Sequence, residues 1–191
     1  MNFVIGIMKN IFMIHGAYGG SEENWFSWLR GELERNNYQV FVPNFPTPEG
    51  QNLENWMKVF AEYEYYFNEE NIFIGYSLGA AFILSVLEKL EKPVKACFFA
   101  SGFIDFLGNK DFDEINKSFV DKDFDWERIR ENCRDFYIYH SDNDPYVPTG
   151  KARDLADRLG VDIKIVEGAG HFNHAAGYDK FEVLLEDVFK V

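Results

Sequence analysis

Residues 72–84 constrain the fold of this chain more than any other stretch of its sequence. Residues 72–74 are β-branched or aromatic, which is typical of a strand. Residues 75–79 read Gly-Tyr-Ser-Leu-Gly, and residues 80–84 then begin an apolar helical pattern. Because Gly75 and Gly79 leave room for a very tight turn, the sequence predicts a strand, a sharp turn with Ser77 at its apex, and a helix. The N-terminus of that helix favours negative charge that develops beside the serine.

Five other apolar runs are predicted to be strands, and helical patterns separate them. These five predicted strands are residues 11–14, 39–42, 95–99, 136–139 and 162–166. Together with residues 72–76 they make six. The continuous apolar run at residues 11–14 is typical of a parallel strand that is buried on both faces. The alternation of strands and helices predicts an α/β fold with a doubly wound, mostly parallel sheet of about six strands and helices on both faces. Ligands bind at the carboxyl ends of the strands in such sheets.

The helical segments differ in how well the sequence defines them. Ser21 is predicted to cap the first helix, and the second helix is predicted to run from Leu53 to about Phe67. Residues 149–159 are predicted to form a helix that stops at the glycine that follows. Residues 103–133 are the least regular part of the chain, with only a turn or two of amphipathic helix expected near their end.

Length and composition are those of one domain with a substantial core. The chain has 191 residues, of which 47% are hydrophobic and 20 are Phe, so a folded globular protein is expected. Two domains would be cramped in this length. Residues 1–191 are therefore predicted to form one domain without a large cap, and residues 1–7 are an optional N-terminal extension because Met8 offers a second start.

Charge and cysteine content exclude several kinds of partner. A net charge of −13 repels nucleic acid and anionic membrane surfaces, so neither is an expected partner. Cys97 and Cys133 lack the spacing of metal ligands, which favours a reducing, cytoplasmic setting; a secreted protein with one disulfide is the alternative. The apolar run at residues 3–8 is too short to span a membrane.

Three reactive side chains follow three of the predicted strands in the order serine, aspartate, histidine. These are Ser77, Asp144 and His171. A serine hydroxyl is a poor nucleophile until a base takes its proton, and an imidazole suits that task because its pKa lies near neutral pH. A carboxylate then fixes the tautomer of the imidazole and stabilises its charged form. The sequence predicts a triad of Ser77 as nucleophile, His171 as base and then acid, and Asp144 as orienting carboxylate, in the order that α/β-hydrolases use.

Other acids and histidines compete for these roles. The competitors are Asp142 and Asp105 for the acid, and His15, His140 and His174 for the base. Asp144 is favoured because the Pro-Tyr-Val-Pro sequence after it holds the backbone, and His171 is favoured because the glycines before it suit a tight loop. Structural roles are expected for His15 and His140, which lie at strand ends.

The loop after the first predicted strand reads His15-Gly16-Ala17 and lies where an oxyanion hole needs a backbone N–H group. The two donors are predicted to be the N–H groups of Ala17 and Leu78, the residue after the nucleophile. Gly16 lets the main chain come close to the reacting atoms. A simple glycine-rich connection is the alternative interpretation of this loop.

Several motifs together resemble a known family. They are His-Gly-x-x-Gly, the Trp-Phe-x-Trp-Leu and Phe-Pro-x-Pro segments that follow it, the Gly75–Gly79 turn, Asp-Pro-x-Val-Pro at Asp144, and Gly-His-Phe at His171. The chain is similar to the small serine hydrolases related to retinoblastoma-binding protein and to bacterial YdeN. This resemblance implies a compact α/β-hydrolase with the same triad, no metal, no organic cofactor and no large cap. The Leu-x-Cys-x-Glu signature of the vertebrate namesake is absent, so no protein partner is predicted.

The predicted activity is hydrolysis of a small carboxylic ester or thioester through an acyl-enzyme, with a small acyl compound as the only predicted partner. Amide or peptide cleavage by the same triad is the nearest alternative, and a binding protein that has kept the fold without turnover is another. The aromatic side chains expected to line an acyl pocket are Phe103, Phe106, Trp126 and Tyr146. The alternative is that these side chains only fill the core.

Overall fold

The structure is a computed structural model that describes residues 9–191. The predictions for residues 1–7 and for the apolar run at residues 3–8 fall on residues 1–8, which lie outside the described part. The strands are β1 (Asn10–Ile14), β2 (Gln39–Phe41), β3 (Ile72–Tyr76), β4 (Val94–Ala100), β5 (Cys133–Ser141) and β6 (Ile163–Val166). The helices are α1 (Phe26–Arg35), α2 (Leu53–Ala61), α3 (Leu78–Leu87), α4 (Lys110–Val120), α5 (Trp126–Glu131), α6 (Thr149–Leu159) and α7 (Glu182–Val188).

The six strands form one parallel sheet in the order β2-β1-β3-β4-β5-β6, which confirms the predicted α/β fold. The chain first winds from β1 to β2 at one edge and then from β3 through β6 toward the other edge. The direction of winding therefore reverses between β1 and β3. Loops after two neighbouring strands diverge at such a point and leave a crevice for a ligand.

Each face of the sheet has its own apolar core. Alternate residues of a strand point to opposite faces. Phe12 and Ile14 thus pack in one cluster with α2, α3 and α6, whereas Ile11 and Met13 pack in the other cluster with α1 and α7. All ten residues of α3 are buried, because this helix crosses the centre of the sheet and is covered by its neighbours. Such burial fixes the helix that begins directly after Ser77.

Three local predictions were wrong. The first helix begins at Phe26 and not after Ser21, because residues 21–25 form turns and no side chain caps the helix. The second helix ends at Ala61, since the chain tightens into a 3-10 turn that directs the neighbouring aromatic rings onto the ring of Phe12. Residues 103–133 are more regular than expected: α5 matches the turn or two of helix expected near their end, but α4, which is 11 residues long and is capped by Asn109, was not predicted.

No helix within residues 9–191 combines the length and apolarity that crossing a bilayer requires.

Candidate active site

Ser77 occupies the apex of a strained turn between β3 and α3. Its backbone has φ 53° and ψ −118°, a region that side chains other than glycine rarely adopt. The two flanking glycines allow this turn for steric reasons. A Cβ atom added at Gly79 would lie 2.4 Å from the carbonyl oxygen of Ile14, and one added at Gly75 would lie 2.8 Å from the side chain of Ile83. Helix α3 can therefore start immediately after the serine and pack closely on β1.

The loop after β1 passes directly beside Ser77. Ile14 pairs with Gly75 in the parallel register of β1 and β3, so Gly16 comes level with Ser77. A Cβ atom added at Gly16 would lie 3.0 Å from the Cβ and 3.5 Å from the Oγ of Ser77. Glycine is required here because the main chain needs to approach the hydroxyl this closely.

His15 orients the peptide group that joins Gly16 to Ala17. Its Nε2 lies 3.0 Å from the backbone N–H of Phe45 and must accept that proton, so the proton of the neutral ring lies on Nδ1. Nδ1 then donates to the carbonyl oxygen of Gly16 at 2.8 Å. Because the carbonyl and N–H of a trans peptide point in opposite directions, the N–H of Ala17 points away from His15. Burial lowers the pKa of His15, which maintains this neutral form.

Asp144 and His171 are in direct contact at the carboxyl end of the sheet. Oδ2 of Asp144 lies 2.7 Å from Nδ1 of His171 and also accepts the hydroxyl of Ser101 at 2.8 Å. Oδ1 accepts the backbone N–H groups of Tyr146 and Val147 at 2.9 and 3.0 Å. The carboxylate is fully buried. Burial alone would raise the pKa of Asp144, but the hydrogen bonds from His171 and the backbone outweigh it and hold the pKa below its usual value.

Residues at the carboxyl end of β5 form hydrogen bonds with the loop that carries His171. Three consecutive side chains, from the last residue of β5 and the two residues after it, accept three consecutive backbone N–H groups from residues 168–170. Asp142 binds the first at 2.8 Å, Ser141 the second at 3.0 Å and Asn143 the third at 2.8 Å. These three hydrogen bonds therefore hold together the loop that carries Asp144 and the loop that carries His171, and Asp142 accepts one of them.

Two aromatic side chains donate hydrogen bonds to the backbone of the loop that carries His171. The hydroxyl of Tyr76 donates to the carbonyl oxygen of His171 at 2.8 Å, and the indole N–H of Trp25 donates to that of Phe172 at 3.0 Å. Tyr76 immediately precedes Ser77. The turn with the serine and the loop with the histidine are thus joined by a hydrogen bond.

The remaining competitors for the triad lie elsewhere. His174 is exposed and contacts Asp179 at 2.5 Å. Nε2 of His140 lies 2.9 Å from the carbonyl oxygen of Val147, and its ring is buried behind the loop. Asp105 forms an ion pair with Lys151 at 2.7 Å. None of these side chains is among the described residues that line the cavity next to Ser77.

Ser77 and His171 line one cavity of about 290 Å³. Of the four aromatic residues expected to line an acyl pocket, Phe103 and Tyr146 do so, whereas Phe106 and Trp126 do not. The other described residues of its wall are Gly16, Ala17, Tyr18, Glu23, Asn24, Tyr76, Leu107, Phe112, Asn116, Val147 and Asn173. Surface depressions of about 410 and 730 Å³ lie elsewhere, but no serine, cysteine or histidine lines them. The side chains that line the cavity beside Ser77 therefore identify it as the candidate active site.

Sequence reasoning gave no role to Ser101, Ser141 and Asn143, although each lies at or just beyond the carboxyl end of a strand. Ser101 has φ 49° and follows β4, where Ala100 pairs with Tyr76 and Tyr139 of the neighbouring strands. Its position at a strand end is the signal that could have identified it. The partners of Ser141 and Asn143 depend on how two distant loops meet, which the sequence does not encode locally.

A serine on a glycine-flanked turn after a central parallel strand, with an acid and a histidine on later strand ends, defines this protein as an α/β-hydrolase. The chain belongs to the serine hydrolase family, whose model matches residues 11–189.

Relatives match this chain over almost its whole length. YdeN of Bacillus subtilis (strain 168) is 27% identical over 180 residues, which is 93% of each chain. Serine hydrolase RBBP9 of Rattus norvegicus is 27% identical over 90% of this chain and 91% of its own. The crystal structure of the B. subtilis ydeN gene product superimposes with a TM-score of 0.89 at 26% identity and covers 96% of this chain and 98% of its own. These matches agree with the resemblance that the sequence motifs indicated.

Proposed function

We propose that this serine hydrolase cleaves small carboxylic esters or thioesters through an acyl-enzyme formed on Ser77. The observation that carries the proposal is the 2.7 Å contact between Nδ1 of His171 and the buried carboxylate of Asp144, in a cavity that His171 shares with Ser77. That contact places the proton of the neutral ring on Nδ1 and leaves Nε2 free to accept a proton.

The reaction follows from these positions. Oγ of Ser77 attacks the carbonyl carbon while its proton moves to His171, and the carbonyl oxygen becomes an oxyanion. The N–H groups of Ala17 and Leu78 bind this oxyanion; Leu78 is the first residue of α3, so its N–H has no partner within the helix. His171 then protonates the departing alcohol or thiol. Water, activated by His171, attacks the acyl-enzyme and releases the acid.

The size of the cavity favours a small substrate. A volume of about 290 Å³ lies at the lower end of the range for ligand sites. Phe103, Leu107 and Phe112 give part of its wall an apolar surface that suits a short acyl chain. Tyr18 and Tyr146 are exposed beside it, and the ring of Phe112 lies 6.0 Å from each of theirs.

Labelling with a fluorophosphonate probe tests the proposal. The wild-type protein should be labelled, and Ser77→Ala and His171→Ala should not be. His174→Ala is the matched control, because this nearby histidine is exposed and pairs with Asp179. Absence of labelling in folded wild-type protein would overturn the proposed mechanism and favour a binding function. Turnover of matched esters, thioesters and amides by the labelled protein would then show which acyl bond it prefers.

We also propose a reducing, cytoplasmic setting for the protein, with no nucleic acid or membrane partner. Cys97 and Cys133 are free thiols and both are buried, which supports the first point. The net charge of −13 supports the second. Fractionation of the source cells that found the protein outside the cytoplasm would contradict this setting.

A further inference from the structure

Glu23 is a carboxyl group in the wall of the active-site cavity that the triad chemistry does not use. It lines the cavity together with Ser77 and His171. Its Oε1 atom is buried and has no hydrogen-bond partner of good geometry among residues 9–191. Burial raises the pKa of Glu23 to about 7, against the opposing effect of the backbone N–H groups of Gly16 and Gly20. A buried carboxyl oxygen without a hydrogen-bond partner is costly, so its position requires a reason.

The loop between β1 and α1 packs against this carboxyl group. A Cβ atom added at Gly19 would lie 2.2 Å from Oε1 of Glu23, so glycine at this position lets the carboxyl group lie where it does. Oε1 itself is buried, but the residue as a whole is only partly buried and lines the cavity, so the side chain has a face toward it. Glu23 also lies near the reacting groups. With burial, its charge raises the pKa of Tyr76, the residue that precedes Ser77 and binds the backbone of His171.

No cation of the protein balances Glu23 within the cavity. Among the described residues that line it, none is Lys or Arg, and the whole chain carries a net charge of −13. Phe103, Leu107 and Phe112 provide the apolar part of the wall and come from a different segment of the chain. The cavity thus combines an apolar surface with one acidic group, and a cationic ligand would supply the charge that stabilises the ionised form of this group.

We propose that Glu23 binds a positively charged ammonium group of the substrate, so that the preferred substrates are small cationic esters or thioesters. This inference rests on the proposed function, because it concerns the substrate of the same site. An ammonium group would form a charge-assisted hydrogen bond or ion pair with the carboxylate, where an uncharged group of the same shape would leave it unpaired. A carboxylate on the substrate would be repelled.

Pairs of esters that differ only in charge test the proposal. On the acyl side, 3-aminopropionyl and butyryl p-nitrophenyl esters differ by an ammonium in place of a methyl group. On the leaving-group side, choline butyrate is compared with 3,3-dimethylbutyl butyrate. The measured quantity is the ratio of kcat/KM within each pair, for the wild type, Glu23→Gln and Glu22→Gln. Glu22→Gln is the matched control, because it removes the same charge from an exposed side chain that contacts Ser27 and Arg30 at the surface.

In at least one pair, the wild type should prefer the cationic ester, and Glu23→Gln should reduce that preference by about tenfold or more. Glu22→Gln should leave it unchanged. The same ratio in the wild type and Glu23→Gln for both pairs would overturn the proposal while leaving the hydrolase function intact. If that unchanged ratio came with an equal loss for both members of each pair, Glu23 would only support the loop that carries Ala17.

Binding to the inactive Ser77→Ala protein separates this inference from the proposed function. Calorimetry with the same pairs, with and without the additional Glu23→Gln change, measures recognition without turnover. A preference for the cationic ester that depends on Glu23 would support the proposal even if the wild type neither hydrolysed esters nor reacted with fluorophosphonate. Equal dissociation constants within both pairs would overturn it.

Discussion

Replacing Asp144 by asparagine should reverse the hydrogen bond that orients His171. Oδ1 of Asp144 accepts two backbone N–H groups, from Tyr146 and Val147. In Asp144→Asn, only the amide oxygen of the new side chain can accept them. The NH₂ group is thereby forced to the position of Oδ2, which lies 2.7 Å from Nδ1 of His171. The hydroxyl of Ser101, which donates to Oδ2 in the wild type, can rotate and accept a hydrogen bond from this NH₂ group.

The loss of activity follows from the tautomer of the imidazole. Nδ1 of His171 would become an acceptor, its proton would move to Nε2, and Nε2 could no longer take the proton of Ser77. The same reversal in other Ser-His-Asp triads lowers kcat by about 10⁴-fold, or ~5 kcal/mol of transition-state stabilisation. We expect a loss of that order here, with little change in the folded structure because the four hydrogen-bonding groups remain paired.

Steady-state kcat/KM for a chromogenic short-chain ester measures the effect, with circular dichroism as the check on folding. Asp142→Asn is the matched control. Asp142 accepts only the N–H of Gly168 in the same loop, and an amide oxygen can replace it, so activity should stay within a few-fold of the wild type. Asp144→Asn with more than a tenth of the wild-type kcat/KM would refute the assignment of the acid. A large loss in Asp142→Asn alone would transfer that role to Asp142.

Three further predictions concern stability, pH and specificity. Gly79→Ala places a Cβ 2.4 Å from the carbonyl oxygen of Ile14 and should lower the free energy of unfolding in urea by about 3 kcal/mol or more. Its control Gly150→Ala meets no atom within 4 Å and should raise it by about 0.5–1 kcal/mol; equal effects would contradict the steric argument. Burial alone would raise the pKa of Asp187, yet its hydrogen bonds lower the pKa to about 2. The stability that this carboxylate contributes should therefore be complete above pH ~4 and disappear toward pH 2. The free energy of unfolding of Asp187→Asn should lack this loss between about pH 4 and pH 2. Phe112→Ala widens the cavity and should raise kcat/KM for hexanoyl relative to acetyl esters, and an unchanged ratio would exclude Phe112 from the acyl pocket.

The sheet could be predicted from the sequence because its signals are local. Each strand contains a short stretch rich in apolar residues, and the rule that reactive groups follow parallel strands selected the loops with Ser77, Asp144 and His171. The glycines around Ser77 were equally informative, since a side chain at Gly79 would collide with the main chain of β1. These features depend on a few neighbouring residues and on the known geometry of one fold.

Features that depend on distant contacts could not be predicted. The sequence favours Asp144 over Asp142 only through the Pro-Tyr-Val-Pro segment after Asp144. The contacts that distinguish them arise where two loops meet, which gives Asp142 a backbone partner and Asp144 the imidazole. Helix α4 was missed because acidic residues separate its apolar positions, although Asn109 provides a cap. Glu23 carried no signal, because its importance comes from a cavity that residues of several elements enclose.

Residues 103–116, which lie between β4 and β5, can vary separately from the residues proposed to carry the chemistry. Residues 103–116 contribute Phe103, Leu107, Phe112 and Asn116 to the cavity but no member of the proposed triad or oxyanion hole. The segment is joined to the loop before α2 by the side chain of Gln51, which donates to that of Asn116 at 2.8 Å. Under the proposed function, substitutions in this segment can therefore change which acyl groups fit while Ser77, Asp144 and His171 keep their positions. Libraries directed at this one segment offer a practical route to new substrate ranges on an unchanged catalytic framework.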